Sequence, residues 1–256
     1  MQLVILGSGT SCGVPQIGCE CRVCKSDDPH DKRLRSSALV ETDRMRILID
    51  CGPDFRQQIL TRPAFKKIDA VLVTHAHYDH VGGLDDLRPF CTFGDINIYS
   101  DALTACDIRR AIPYCFEEHK YPGIPNINSK VIEPYKSFVL DDMRITPIRV
   151  MHGNLPILGY RINNLAYITD MKTIPDLSLS YLEGIDTLVV NALRPNTYKD
   201  HPTHQTVEDA IEFSKRIRAK RTVLIHMSHH LGLHKEVNSI LPRGIELAYD
   251  GQELQI

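Results

Sequence analysis

The stretch Thr74-His75-Ala76-His77-Tyr78-Asp79-His80 puts four metal-competent side chains within six residues, directly behind the apolar run Ala70 to Val73. An Ala-Val-Leu-Val run bounded by Asp69 and a polar cluster reads as a short buried strand, so the cluster sits at the strand's carboxyl end. Imidazole and carboxylate are what zinc, manganese and iron bind, and a loop leaving a rigid strand can turn several of them toward one point. Gly82-Gly83 follows at once and suits a tight backbone close to ions. The bland alternative is a polar loop whose histidines cap backbone groups. Three histidines and an aspartate in this order speak against it.

The chain has 256 residues, above the usual single-domain size, yet large α/β folds of this length are often one unit. A hydrophobic fraction of 43% is enough for a sizeable core. Net charge is −2 and the pI is near 6.6, so no global basic field draws the protein to nucleic acid or to an anionic membrane. No apolar run approaches the roughly 20 residues of a membrane helix, and Met1 to Gly7 reads as a first strand rather than a leader. A cytoplasmic protein is expected. Eight cysteines stand at 12, 19, 21, 24, 51, 91, 106 and 115, and their crowding near the amino terminus favours metal binding over disulfides.

Gly7-Ser8-Gly9-Thr10-Ser11-Cys12-Gly13 follows a strand, but no Gly-Lys-Ser/Thr follows it and the spacing is not that of a dinucleotide fingerprint. It reads as a loop where two backbones come close. Cys19, Cys21 and Cys24 form C-x-C-x-x-C, three thiols that can wrap one ion but leave a tetrahedral zinc site one ligand short. The alternative is a set of small buried or redox-active cysteines. Ser37 to Thr42 and Met45 to Asp50 read as a hairpin-like strand pair, Asp50 to Asp54 as a turn, and Phe55 to Thr61 as a helix.

Leu84 to Phe90 and Ala102 to Ala111 read as helices flanking a strand at Ile96 to Ser100. Residues 113–134 are rich in Pro, Gly and Asn, with Tyr114, Phe116 and Tyr121 inside and Tyr135 just beyond. They read as a long loop or lid over a cleft. Strands are expected at Met143 to Met151, Ile157 to Ile162, Leu165 to Thr169, Thr187 to Val190, Thr222 to Ile225 and Ile245 to Ala248, with helices at Val207 to Arg218 and Leu233 to Leu241. One two-layered sheet domain, with helices outside, explains this alternation better than two linked domains.

His152, Asp170 and His226 each lie just beyond a predicted strand. Pooled with the first cluster they make seven donors, about what two neighbouring divalent ions need once a shared water is included. The H-x-H-x-D-H cluster, a later histidine after a strand, an aspartate after a strand and a final strand-borne histidine resemble the metallo-β-lactamase superfamily of hydrolases. The resemblance covers nearly the whole chain and implies a four-layer αβ/βα sandwich with the site at one edge of the paired sheets. It also implies that His75, His77 and His152 hold one ion, Asp79, His80 and His226 a second, and that Asp170 bridges them. Asp79 has a second possible part in orienting the nucleophile. A water between two such ions loses its proton near neutral pH, and the ions take up charge growing on a phosphoryl oxygen.

Val14 to Cys24, Asn191-Ala192-Leu193-Arg194 and His201-Pro202-Thr203-His204 resemble the PhnP-type branch, whose namesake is a phosphoribosyl cyclic phosphodiesterase of phosphonate breakdown. That likeness implies a structural zinc on an amino-terminal loop (12–35), held by Cys19, Cys21, Cys24 and, by the motif Leu224-Ile225-His226-Met227-Ser228-His229, by His229. It implies a dimer as well. His204 is the candidate general acid, with His201 and a structural or capping role as its alternatives. Arg194 is a candidate phosphate contact, against the plainer role of a surface ion-pair partner. Tyr78 receives no function, and His30, His119, His230 and His234 are read as surface or local hydrogen-bonding residues.

The expected protein is a phosphodiesterase acting on a small cyclic or nucleotide-like substrate with two active-site ions of zinc, manganese or iron. Its rivals are a tRNA 3′-processing endonuclease, a thiolesterase or lactonase, and a metal-binding protein that has lost catalysis. Nucleic acid is a poor partner for a chain without a basic RNA-gripping arm.

Overall fold

The computed structural model describes residues 1–117, 119, 123–198 and 201–256. Among the described residues, fourteen strands form two sheets. The first contains β1 (Gln2–Gly7), β2 (Ser37–Glu41), β3 (Arg46–Ile49), β4 (Ala70–Leu72), β5 (Ile96–Ser100), β6 (Ile127–Val131) and β14 (Glu253–Gln255). Its order is β14-β1-β2-β3-β4-β5-β6. The second contains β7 (Phe138–Leu140), β8 (Met143–His152), β9 (Leu155–Ile162), β10 (Leu165–Ile168), β11 (Thr187–Asn191), β12 (Arg221–Ile225) and β13 (Ile245–Leu247). Its order is β13-β12-β11-β10-β9-β8-β7.

The pleat explains why these strands read as unbroken apolar runs. Leu3, Ile5, Val40, Ile47, Ile49 and Leu72 point between the sheets, where they meet Ile145, Tyr160, Tyr167, Val189 and Val223 of the second sheet. Their alternates Val4, Leu39, Leu48, Val71 and Val73 point outward against Phe55, Leu84, Leu87, Phe90 and Ile108. A sheet covered on both faces has no polar face, and the period-two pattern vanishes. Helices α1 (Phe55–Leu60) and α3 (Ala102–Ala111) cover the first sheet. The second is covered on its outer face by α5 (Val207–Ile217), with its Thr206/Asp209 capping box, whose Val207, Ala210 and Phe213 join the main core cluster. The outcome is the expected αβ/βα sandwich.

The remaining helices are α2 (Tyr78–Val81), α4 (Asp176–Ser180) and α6 (His234–Ile240). One sequence reading is corrected and two are made more specific. Residues 113–134 are not one long loop: a 3-10 turn at Pro113–Phe116 leads on to β6, which pairs in parallel with β5 along Ile96 to Ser100. Tyr121 lies outside the described residues. The helix expected from Leu84 is present and is a 3-10 helix over Leu84–Phe93, with Pro89 inside it and so one donor fewer. Gly82 and Gly83 hold the tight backbone expected of them: a Cβ on Gly83 would lie 2.1 Å from the Gly52 carbonyl, and one on Gly82 would strike the Tyr78 ring. The first glycine loop does bring two backbones together, with Gly9 N–H donating to the Leu34 carbonyl at 2.8 Å.

Candidate metal centre

The carboxyl ends of strands from both sheets meet at one edge of the sandwich. Thr74 to His80 follow β4, Asp50 follows β3, His152 ends β8, and Asp170 and His226 lie past β10 and β12. The sheets are locked together here, since Leu158 N–H donates to the Thr74 carbonyl at 3.0 Å and the Tyr160 hydroxyl to the Val73 carbonyl at 2.6 Å. Asp50, Asp170 and His226 all leave their strands with φ between 55° and 57°. Left-handed backbone at non-glycine residues costs roughly 1–3 kcal/mol each and persists only where the surroundings enforce it.

Two groups of donors result, His75, His77, His152 and Asp170 in one, and Asp79, His80, Asp170 and His226 in the other. Asp170 belongs to both. In the first group His75 Nε2 lies 3.0 Å from His77 Nδ1 and 3.6 Å from Asp170 Oδ2. In the second, His80 Nε2 lies 3.1 Å from Asp79 Oδ2 and 3.3 Å from Asp170 Oδ2, and His226 Nε2 lies 3.1 Å from Asp170 Oδ1. Ligands bonded at about 2.0–2.1 Å around a tetrahedral ion lie about 3.3 Å apart, so these separations suit cation coordination. His80 Nε2 and both ring nitrogens of His226 are buried without an aligned hydrogen bond, which nitrogen and oxygen donors aimed at a cation would show.

Neighbouring groups fix the donors from behind. Asp50 Oδ2 accepts from His80 Nδ1 at 2.7 Å, and the Asp50 carboxylate also accepts from the Thr74 N–H and hydroxyl. His152 Nδ1 faces the Asp170 carbonyl at 2.8 Å and the Thr203 carbonyl at 3.0 Å, leaving Nε2 for the centre. Asn191 holds the Met171 backbone by two bonds of 2.8 and 3.0 Å, pinning the residue after Asp170. Asp50 and Asn191 are the residues that sequence reasoning missed; Asp50 was read as part of a turn. The signal was present, since Ile47-Leu48-Ile49-Asp50 repeats the pattern of an apolar strand ending in aspartate.

Burial, followed by the His80 charge, holds the His75 imidazole well below its ordinary range, and burial and His152 lower His77. Burial works against the Asp170 carboxylate, yet His226 and His80 outweigh it and keep Asp170 ionised; burial works against Asp79 too, and the adjacent His226 and His80 rings, at 3.5 and 3.1 Å, outweigh it there as well. Burial pulls His80 down too, but Asp170 and Asp50 push it well above the usual value. His75 and His77 neutral and Asp79 and Asp170 ionised are the forms that bind metal, while a cation at His80 would displace its proton.

His204 is buried with its ring centroid 4.7 Å from that of His152 and 4.8 Å from that of His226, so it touches both donor groups. Burial, then His226, pushes its imidazole down to about 2. His201 lies one ring further out, 4.9 Å from His204, with Nδ1 against the Thr203 hydroxyl at 3.2 Å. Arg194 is not brought into the donor groups; its guanidinium rests 5.5 Å over the Tyr198 ring.

The second cluster lies apart. Cys19, Cys21, Cys24 and His229 bring their donor atoms within 4.8 Å of one another, and His229 Nδ1 is 3.3 Å from the sulfurs of both Cys19 and Cys21. Gln16 N–H points at Cys24 Sγ at 3.4 Å and Cys24 N–H at Cys21 Sγ at 3.5 Å. Burial raises the Cys21 thiol, but the Cys24 N–H, His229 and the other thiols outweigh it and bring it to about 6. Three sulfurs and an imidazole suit zinc.

The family profile "Beta-lactamase superfamily domain" matches residues 45–227. A crystal structure described as a new diphosphatase from the PhnP family is 40% identical, covers 100% of this chain and 97% of its own, and superposes with a TM-score of 0.90. Zinc-bound PqqB from Methylobacterium extorquens, at 23% identity and TM-score 0.83 over the full length of both chains, shares the fold. Among curated proteins, one named octanoyltransferase from Porphyromonas gingivalis (strain ATCC BAA-308 / W83) is 48% identical over 254 residues, covering 99% of this chain and 51% of that protein. Coenzyme PQQ synthesis protein B from Methylobacterium nodulans is 41% identical over 101 residues, 34% of each chain. The chain thus spans about half the length of the first of these relatives and a third of the second. A profile matched over most of the sequence, and a PhnP-family structure matched from end to end, make this chain a member of the beta-lactamase superfamily in its PhnP-like branch.

Proposed function

We propose that the protein is a metal-dependent hydrolase of small cyclic or nucleotide-like phosphodiesters. The observation that carries this reading is the sharing of Asp170 between two three-donor groups, with His204 wedged against both. Two divalent cations at these donors would acidify water and neutralise charge on a phosphoryl group. His75, His77 and His152 would hold one, Asp79, His80 and His226 the other, and Asp170 both, while Cys19, Cys21, Cys24 and His229 would hold a structural zinc. The nitrogen and oxygen donors accept zinc, manganese or iron alike.

The chain's own groups supply the rest. Asp79 and Asp170 stay ionised and orient the nucleophile's side of the site. His204 is neutral at rest, and a bound phosphate anion beside it would raise its proton affinity, so that it could donate to a leaving alkoxide. Arg194 would hold a non-bridging phosphate oxygen from the rim. The diphosphatase activity named for the PhnP-family neighbour supports phosphoryl chemistry, and cysteines without disulfides fit a cytoplasmic setting.

A second reading, thioester hydrolysis, draws on the octanoyltransferase name of the longer relative. His204 separates the two, since a thiolate of pKa about 8.5 leaves without a donated proton and an alkoxide does not. Turnover of bis(p-nitrophenyl) phosphate and of an octanoyl thioester, each with added zinc or manganese, tests this. Hydrolysis of the thioester alone would displace the phosphodiester reading.

A further inference from the structure

The segment from His226 to His230 serves several neighbours in turn. His226 enters the His/Asp cluster. Met227 N–H donates to the Ser8 carbonyl at 3.1 Å, and its own carbonyl accepts from Thr10 N–H at 3.0 Å. Ser228 sends both its N–H (3.0 Å) and its hydroxyl (2.9 Å) to the Leu193 carbonyl, next to Arg194. His229 lies between the sulfurs of Cys19 and Cys21. The His230 ring is 4.0 Å from the His229 ring and 4.9 Å from the Tyr198 ring, over which the Arg194 guanidinium sits at 5.5 Å.

A file of four groups therefore runs from the cysteine knuckle to the segment following β11. That segment leaves the sheet between β10 and β12, whose ends deliver Asp170 and His226. It runs beside the His204 segment, with Leu193 N–H donating to the Gln205 carbonyl at 3.0 Å and the Arg194 carbonyl accepting from Val207 N–H at 3.1 Å, which puts the Arg194 backbone at the edge of the centre. An arginine side chain loses about 2 kcal/mol of rotamer freedom when fixed, and an aromatic face beneath the guanidinium returns about 0.5–1 kcal/mol at an exposed site. Tyr198 is itself 42% exposed and needs a backing, which the His230 ring supplies.

We infer that the knuckle is a positioning element for substrate: through His230 and Tyr198 it holds Arg194 where it meets an anionic phosphate. The inference rests on the phosphodiester reading and deepens it. A knuckle with a purely structural role would stabilise the fold and leave substrate affinity alone.

The test uses the purified full chain and its variants His230→Ala, Tyr198→Ala, His230→Phe and Tyr198→Phe, in wild-type and Arg194→Ala backgrounds. Two quantities are read, KM and kcat for bis(p-nitrophenyl) phosphate and the calorimetric Kd for inorganic phosphate. Either alanine variant should raise KM and Kd about two- to fivefold with kcat unchanged, the worth of one exposed cation–π contact. The phenylalanine variants should restore wild-type values, and His230→Ala should add nothing to Arg194→Ala. Unchanged KM and Kd in the alanine variants, phenylalanine variants as weak as alanine, or a further loss in the Arg194→Ala background would each overturn the inference. So would a wild-type chain that binds no phosphate. A wild-type chain that binds phosphate but cleaves no diester overturns the phosphodiester reading alone, and the Kd series still decides the file.

Discussion

The two donor clusters of this protein are made in opposite ways. The His/Asp cluster draws on strand ends of both sheets, is buried except at His77, and has its donors fixed by Asp50 and the Thr203 and Asp170 carbonyls before any ion arrives. The knuckle takes three donors from one short loop and a single remote histidine, with only Cys24 buried and with backbone N–H groups at the sulfurs. The first is preorganised by the fold; the second is a loop that a bound zinc would organise. Damage to the first should remove turnover and spare the fold, and damage to the second should lower stability and, through Arg194, substrate affinity, while leaving the His/Asp donors in place.

The sharpest break is Asp170→Asn, which strikes both donor groups at once. Diester turnover should drop by about a thousandfold or more, and elemental analysis should find the active-site ions depleted with zinc still on the knuckle. His204→Ala comes next: a loss of about 10²–10⁴ in turnover of an alkoxide-leaving diester with metal content intact, and an unaltered rate would reject His204 as proton donor. Asp50→Asn leaves every donor in place but removes the carboxylate behind His80, so metal affinity, read by competition with a chelator, should weaken about 10–100-fold.

Cys24→Ser sharpens the other side. One zinc per chain should be lost and the thermal midpoint should fall by roughly 5–15 °C, while the His/Asp cluster keeps its ions. If the active-site ions left together with the knuckle zinc, the two regions would be one cooperative unit and the contrast drawn here would fail.

The smallest effect concerns the polar layer beside the knuckle, where Leu233 packs on the cysteines and His234 Nδ1 lies 3.1 Å from Arg33 Nη2. Burial and then the Arg33 charge push His234 down to about 4, from an unfolded value of 6.5. Between those values the unfolded chain binds a proton that the folded chain refuses, so the His234 contribution is whole above pH 6.5 and is lost as pH falls toward 4. Burial raises Asp250 to about 6, which has the opposite sign between pH 3.8 and 6. Comparing thermal midpoints of wild type and His234→Gln across pH 4 to 7 isolates the histidine; a constant difference would refute its titration.

What could be read from the residues was whatever chemistry lies close in sequence or at a recognisable strand end. His75, His77, Asp79 and His80 are neighbours in one motif, and Cys19, Cys21 and Cys24 in another, so their residue types and spacing speak before folding does. Apolar runs marked the strands because burial on both faces demands them. β6 escaped because Ile127-Asn128-Ser129-Lys130-Val131 is held as an edge strand by backbone bonds to β5, with only Ile127 buried, and backbone pairing leaves no mark on composition. Asp50 looked like a turn residue because its partner His80 is thirty positions away. The sharing of Asp170 was expected only through the family resemblance; the convergence of β3, β4, β8, β10 and β12 on one edge and the file from His229 to Arg194 were decided only by tertiary structure. Distance between side chains is a property of how two sheets pack, and the order of residues along a chain does not contain it.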